Sequence, residues 1–527
     1  MLQHLLCETA RKQPRQPAVI HGETVFTYAE LEDLSSRLAA ALAQLGVKSG
    51  DRVGILLPKS PEAVIAIYGI LKTGGIYVPL DPLAPARRLA GIVDRCQINA
   101  LVASTSLVGS VVSESTAAWP DSLILVGGGE IEGKRCLDWG KALATSPEPV
   151  PPVKSTDCHP AYILHTSGST GVPKGVVISH HNALAFVRMA TSFFGITKED
   201  RIASHAPFHF DLSVFDLFTA AEAGAAVVLV PDNLGVFPSR LAAFIDLARI
   251  TVWNSVASVI ALLSEHGRLE QFDLEAMRVV IFSGDVLSAK HLRRAMEAMP
   301  RAVFYNVYGQ TEANSSTFYR VEAPPADDRW RIPIGRPFPN FEVFALDEER
   351  VPISQPGNTG ELYVGGATVA LGYWQDPERT AASFVENPLD LWPGRFYRTG
   401  DLVTLDDNGD YLFLGRRDRQ IKSRGYRVQI DEIDLALTSH PGVREGVAVD
   451  FPDDVLGTRI LGFVQCSGPV AEVDLLDFCS ECLPPYMIPE RIHMVDEFPR
   501  TSTGKIDRRQ LRTGLTSGTE FRPEAGE

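Results

Sequence analysis

The chain has 527 residues, 45% hydrophobic and 22% charged, an ordinary balance for a folded protein but too long for a single core; two or three units are expected. A formal net charge of −15 argues against non-specific nucleic-acid binding, which needs a basic face, and no apolar run reaches the ~20 residues that span a bilayer. Seven scattered cysteines fit a reducing compartment, and the charged, amphipathic start Met1–Arg11 lacks the layout of a secretion signal, so a cytoplasmic location is expected.

In chain order, that start reads as a short surface helix. Leu31–Leu45 has apolar positions at helical spacing and stops at Gly46, a helix C-cap. Val53–Leu57, Ile76–Leu80 and Ala225–Val230 are short runs rich in β-branched residues, as in buried strands of mostly parallel sheets covered by helices. Ala161–Leu164 is another such run, and it opens onto Thr166-Ser-Gly-Ser-Thr-Gly-Val-Pro-Lys-Gly-Val176. Three glycines turn backbone N–H groups inward, Thr166, Ser167, Ser169 and Thr170 add hydroxyls, and Lys174 adds a mobile charge, which is how a loop cradles a polyphosphate. Neither the Walker A spacing nor G-x-G-x-x-G is present, and a plain Gly/Ser linker would not end in Pro-Lys-Gly between two apolar runs.

From 340 to 415 the pattern changes to half-buried strands, Phe341–Phe344, Gly360–Val364 and Leu402–Leu405, with Gly/Asn/Asp turns, consistent with a small antiparallel β-barrel. Past Arg416 the chain turns basic. Strand-like Gly446–Val449 and Ile460–Val464 alternate with helices near 431–439 and 471–482, a small α/β unit of about 110 residues. Cys479-Ser-Glu-Cys482 lies on the second of these helices. With no second ligand pair it reads as core packing and not as zinc. The polar stretch after Leu511 is expected to be disordered and is too short for a carrier domain.

The 166–176 loop resembles the phosphate loop of the adenylate-forming superfamily, which includes amino-acid adenylation domains, D-alanine–carrier protein ligases, acyl-CoA synthetases and luciferases. Four further stretches resemble its motifs in the same order: Tyr308-Gly-Gln-Thr-Glu312, Tyr397-Arg-Thr-Gly-Asp401, Gly415-Arg-Arg-Asp-Arg-Gln-Ile-Lys-Ser-Arg-Gly425 and Pro499-Arg-Thr-Ser-Thr-Gly-Lys505. The resemblance covers nearly the whole chain. It implies an α/β fold: a large N-terminal adenylation core, 1–415, of two doubly wound sheets plus the β-barrel part, 340–415. A small mobile α+β C-terminal domain, 416–527, would follow.

It also implies ATP-dependent formation of an acyl adenylate with Mg²⁺. Thr166, Ser167, Gly168, Ser169, Thr170, Gly171 and Lys174 would hold phosphates, and Glu312 would bind the metal. Gly284, Asp285 and Tyr308 would form the adenine pocket, Gly309 and Thr311 would also bind ATP, Asp401 and Arg416 would reach the ribose, Lys505 would be the catalytic lysine and Asp418 the hinge. Taken singly, several of these residues have plainer readings: Glu312 as a solvated carboxylate, Tyr308 as core packing and Asp401 as a turn residue. One departure is Gln429, in Gly425-Tyr-Arg-Val-Gln429, where the superfamily carries Glu; either that charge is dispensable or Glu432 supplies it.

Phe208-His-Phe-Asp-Leu-Ser-Val-Phe-Asp216 resembles the motif whose Asp binds a substrate ammonium, a role that falls here on Asp211; the plainer reading is a helix N-cap. By motif, the acid pocket would be Asp211, Leu212, Phe215, Asn254, Ile281, Ser283, Val307, Ser315 and Ser316. No Lys, Arg or second acid stands among them to meet a charged side chain, so a small or medium neutral amino acid, α or β, is expected. The thiol acceptor would be the phosphopantetheine arm of a separate acyl or peptidyl carrier protein, met by a local basic patch for which Arg424, Arg427, Arg508 and Arg509 are candidates. An acyl-CoA synthetase for a non-amino acid is the competing reading, and a catalytically dead binding protein is a third.

Overall fold

The computed structural model describes residues 1–114, 119–147, 155–168, 173–389, 392–453, 455, 457–500 and 506–516. Two large sheets dominate. One has eight strands; a six-strand parallel run goes from the edge strand Arg135–Asp138 through Ser122–Val126, Ala100–Ser104, Arg52–Leu56 and Ile76–Pro79 to Pro160–Thr166, which pairs with antiparallel Lys174–Ser179. The other has nine strands, parallel from Val303–Gln310 through Val279–Ser283, Val252–Val256, Arg201–Ser204 and Ala226–Leu229 to Pro17–His21, with antiparallel edges.

The largest apolar cluster takes Val53, Ile55 and Tyr162 from one sheet and Val227, Val252 and Val279 from the other, with helices Tyr28–Gln44, Pro61–Lys72 and His180–Phe193 contributing between them. Pro61–Lys72 shows why. Ser60 caps it by accepting from the Ala63 N–H, Pro61 occupies the first turn, and ten of its positions are buried, the pattern of a helix covered on both sides. Gly69 lets it approach its neighbour, since a Cβ there would lie 2.9 Å from Leu38 Cδ2. The first helix, Gln3–Lys12, is more than a surface element: Leu2, Leu5, Leu6 and Ala10 enter the same core.

Residues 341–416 form the expected antiparallel part, in which Arg395–Leu405 pairs with Thr359–Gly366, Phe384–Glu386 and Tyr411–Arg416. Among the described residues its ladder is open, with Tyr411–Arg416 branching from the long central strand. Past 416 the chain builds a hairpin, Gln420–Ser423 with Tyr426–Gln429, and a three-stranded sheet backed by helices Ile430–Thr438 and Glu472–Cys482. Val428, Ile433, Leu437, Val464, Leu475 and Ile492 give this part a core of its own, and Cys479 packs inside it. No helix among the described residues is long and apolar enough to cross a membrane.

Candidate active site

Parallel strands end together, so loops at their C-terminal ends enclose a crevice. Asn254 and Ile281 are paired across Val252–Val256 and Val279–Ser283, and Ile281 pairs in turn with Tyr305, which brings Asn254, Ile281, Ser283 and Val307 to one wall. The opposite wall comes from Asp211 and a short helix that passes at Phe215–Thr219 into a π-helical turn, a distortion common at functional sites. Leu212, Phe215 and Ser315 complete the lining, joined by Phe186 and Phe194, which carry no motif.

Ser316 is a correction. On strand Asn314–Val321 its side chain alternates away from that of Ser315; it is fully buried, and its hydroxyl donates to the Asn314 carbonyl.

Asp211 makes no N-cap hydrogen bond. Its Oδ2 accepts from Thr311 Oγ1 at 2.8 Å, and burial pushes its carboxyl above the ordinary range. Among the described residues no cationic side chain pairs with it. Asp216 is fully buried and accepts from Asn254 Nδ2 at 3.3 Å, fixing that amide from behind the wall.

The second lobe centres on Glu312, which is fully buried. Lys174 Nζ and the Tyr373 hydroxyl each lie 2.8 Å from Oε1, and Arg427 donates to Oε2 at 2.6 Å. Burial opposes its charge, but Arg427 and Lys174 outweigh that and hold its carboxyl far below the ordinary range. Burial and the neighbouring Arg427 push Lys174 down to about 8.

Asp401 is equally enclosed. It accepts from the Tyr308 hydroxyl at 2.5 Å, from Gln310 Nε2 at 2.7 Å and from Arg416, whose Nε also donates to Asp418 at 2.7 Å. Tyr308 packs in the core of the antiparallel part, and Lys422 Nζ sits 5.4 Å over its ring.

Thr166, Ser167, Gly284, Gly309, Thr311 and Arg416 line the cavity, whereas Lys174, Tyr308, Glu312 and Asp401 stand behind its wall in this arrangement. Asp285 also lies off the wall, facing Gly457, with burial pushing its carboxyl up to about 6. Ser169, Thr170, Gly171 and Lys505 lie outside the described residues.

Of the four arginines expected in the basic patch, Arg427 is a second correction. Arg427 is inside the site, Arg508 donates to Asp434 at 2.5 Å and Arg424 stands 3.6 Å from Glu490; Arg509 alone of the four is exposed with no ion pair recorded among the described residues. Gln429 bonds Asp431, while Glu432 pairs with Arg88. Tyr373, Gln310 and Lys422 carried no assigned role in the sequence.

Residues 6–374 match the profile described as AMP-binding enzyme, and 432–505 match the AMP-binding enzyme C-terminal domain. A linear gramicidin synthase polypeptide of Brevibacillus parabrevis is 36% identical over 96% of this chain, which spans only 9% of that longer protein. An L-proline--[L-prolyl-carrier protein] ligase of Pseudomonas fluorescens is 35% identical, with 96% of this chain and 98% of the ligase aligned. The crystal structure of the Vibrio cholerae adenylation domain AlmE with glycyl-adenosine-5'-phosphate superposes with a TM-score of 0.85 at 25% identity, covering 98% of each chain. Profile, relatives and fold agree with the strand-end crevice and its motifs: the chain belongs to the AMP-binding enzyme family.

Proposed function

We propose that this protein activates a small or medium neutral amino acid with ATP, releasing pyrophosphate, and passes the aminoacyl group from its adenylate to the phosphopantetheine thiol of a separate carrier protein. The observation that carries this reading is Asp211, a carboxylate on the cavity wall with no cationic partner among the described residues. A desolvated charge of this kind calls for an opposite one, and a protonated amine supplies it. An acid without nitrogen leaves it unanswered. Around it Phe215, Ile281 and Val307 are apolar, and Asn254, Ser283 and Ser315 are neutral and polar, which suits an uncharged side chain of modest size. The name of the proline–carrier ligase relative, which aligns over nearly its full length, supports the same class of acceptor.

Attack of a carboxylate on the α-phosphorus brings negative charge to negative charge, so positioning and charge neutralisation must carry the step. Lys174 is the residue proposed to meet polyphosphate, and Asp401, with Arg416, the residues proposed to meet the ribose. Lys505 is the residue proposed to bridge acid and nucleotide. Mg²⁺ bound with ATP would neutralise phosphate charge; Glu312 is the hard oxygen donor suited to hold it, once Arg427 has withdrawn. Asp418, tied to Arg416, is the proposed pivot. Amino-acid-dependent exchange of labelled pyrophosphate into ATP, run over a panel of amino acids and their des-amino analogues, tests the reading; a preference for acids lacking nitrogen would overturn it.

A further inference from the structure

Two charged side chains, Glu432, the candidate substitute for the charge absent at Gln429, and Arg88, which has no role above, meet between the large core and the small C-terminal part. Arg88, on helix Ala86–Cys96, pairs with Glu432, in the first turn of helix Ile430–Thr438; the side chains are 9% and 4% exposed. The second oxygen of Glu432 has no hydrogen-bond partner among the described residues. An ion pair so enclosed gives up most of what it gains to desolvation, yet losing one partner strands a charge, so it favours one arrangement over others more than it adds stability.

Its place in the chain gives that choice a consequence. Strand Tyr426–Gln429 runs directly into the helix that carries Glu432, so anchoring Glu432 anchors Arg427. Arg427 in turn fills the Oε2 side of Glu312, and its carbonyl accepts from Ser167 Oγ at 2.6 Å. On the same hairpin, Gly425 (φ +79°) seats against Val256, whose Cγ1 would lie 2.1 Å from an added Cβ. With the hairpin in place, the carboxylate that polyphosphate and its metal require is occupied, while the Asp211 pocket stays lined and intact. This docked state suits the step after pyrophosphate has left and excludes the step before it.

We infer that Arg88 and Glu432 are a positioning pair that holds the small domain in the thiol-transfer arrangement, and that ATP must break this pair to bind. The inference rests on the two-step reading above. A ligand that binds only the undocked state has its apparent affinity reduced by the fraction undocked. Weakening the pair must therefore move the two half-reactions in opposite directions, which general destabilisation does not do.

The test uses the full chain as wild type, Arg88→Glu, Glu432→Arg, the double swap, and Glu432→Gln as the mildest change. The readouts are the KM for ATP in pyrophosphate exchange and the single-turnover rate at which free pantetheine releases AMP from preformed adenylate. Single variants should lower KM for ATP about three- to tenfold and slow release roughly tenfold, and the double swap should return both to within about twofold of wild type. Parallel loss of both activities, no change in either, or failure of the swap to restore them overturns the inference. Calorimetric ATP binding without any acid separates the two claims: if no amino acid supports exchange, the functional reading falls, and the singles must still bind ATP more tightly or the pair falls as well.

Discussion

Replacing Asp211 with Asn removes a charge while keeping the shape of the side chain, and an amide oxygen can still accept the Thr311 hydroxyl that lies 2.8 Å from Oδ2. What is lost is the attraction for an ammonium. At a separation of ~4 Å and an effective dielectric of ~20 that attraction is about 4 kcal/mol, or roughly three decades of affinity. Burial already holds the Asp211 carboxyl above its ordinary range, and ionising it takes back part of the gain, so the expected loss in kcat/KM for the amino acid is about 10²–10³-fold. The KM for ATP should stay near wild type, because Lys174, Glu312 and Asp401 are untouched. Pyrophosphate exchange against varied amino acid and varied ATP separates the two parameters, and the des-amino analogue of the best substrate supplies the control, since Asn should narrow the gap between the two acids. An Asn variant within about threefold of wild type would refute the electrostatic argument, because an ion pair in this setting cannot be that weak.

Lys505→Ala should lower adenylate formation by about 10²–10³-fold while leaving thiolysis of a preformed adenylate nearly intact, as removal of one transition-state charge partner does elsewhere; equal losses in both steps would deny it the role. Lys174, pushed down to about 8 by burial and Arg427, must be protonated to meet phosphate, so kcat/KM for ATP should fall as pH rises through about 8. Arg427→Ala removes one of the causes of that depression and should carry the limb to higher pH; a limb that stays put would mean another group titrates. Gly457→Ala places a Cβ 2.0 Å from Asp285 Oδ2 at a φ of +76°, a backbone conformation that costs a residue with a Cβ about 1 kcal/mol even without the contact. Thiol transfer should drop about tenfold with the melting temperature only a few degrees lower, and unaltered transfer would show that this contact does not govern docking.

What could be read in the sequence was what is local in it. Thr166 and the Tyr308–Glu312 run stand at strand ends, and the Tyr397–Asp401 run lies within the long strand Arg395–Leu405; each is a contiguous string that its own strand positions. The cavity wall was nearly as legible, because residues one strand apart in a parallel sheet stay in register, as Asn254 and Ile281 do. Alternation along a strand explains the miss at Ser316, which a motif offset cannot tell from Ser315. Tyr373 was out of reach for another reason: it meets Lys174 across 199 positions, through an antiparallel pairing of Gly372–Tyr373 with Val176 and Val177 that no window of sequence reveals. Arg427 looked like a surface charge because basic composition does not say which way a hairpin faces.

Glu312 carries the argument furthest. A single buried carboxylate cannot hold Arg427 on Oε2 at 2.6 Å and at the same time give that oxygen to a metal escorting polyphosphate. Lys174 and Tyr373 approach the other oxygen and can serve either arrangement, so Arg427 alone distinguishes them. On the proposed reading the two claims on one side chain are met in turn, and because Arg427 is borne by the hairpin Gln420–Ser423 with Tyr426–Gln429, taking turns would mean moving the small domain. If Glu312 holds the metal as proposed, alternation between half-reactions would follow from the number of oxygens on one glutamate, with the proposed Arg88–Glu432 pair setting how hard the first must work to displace the second.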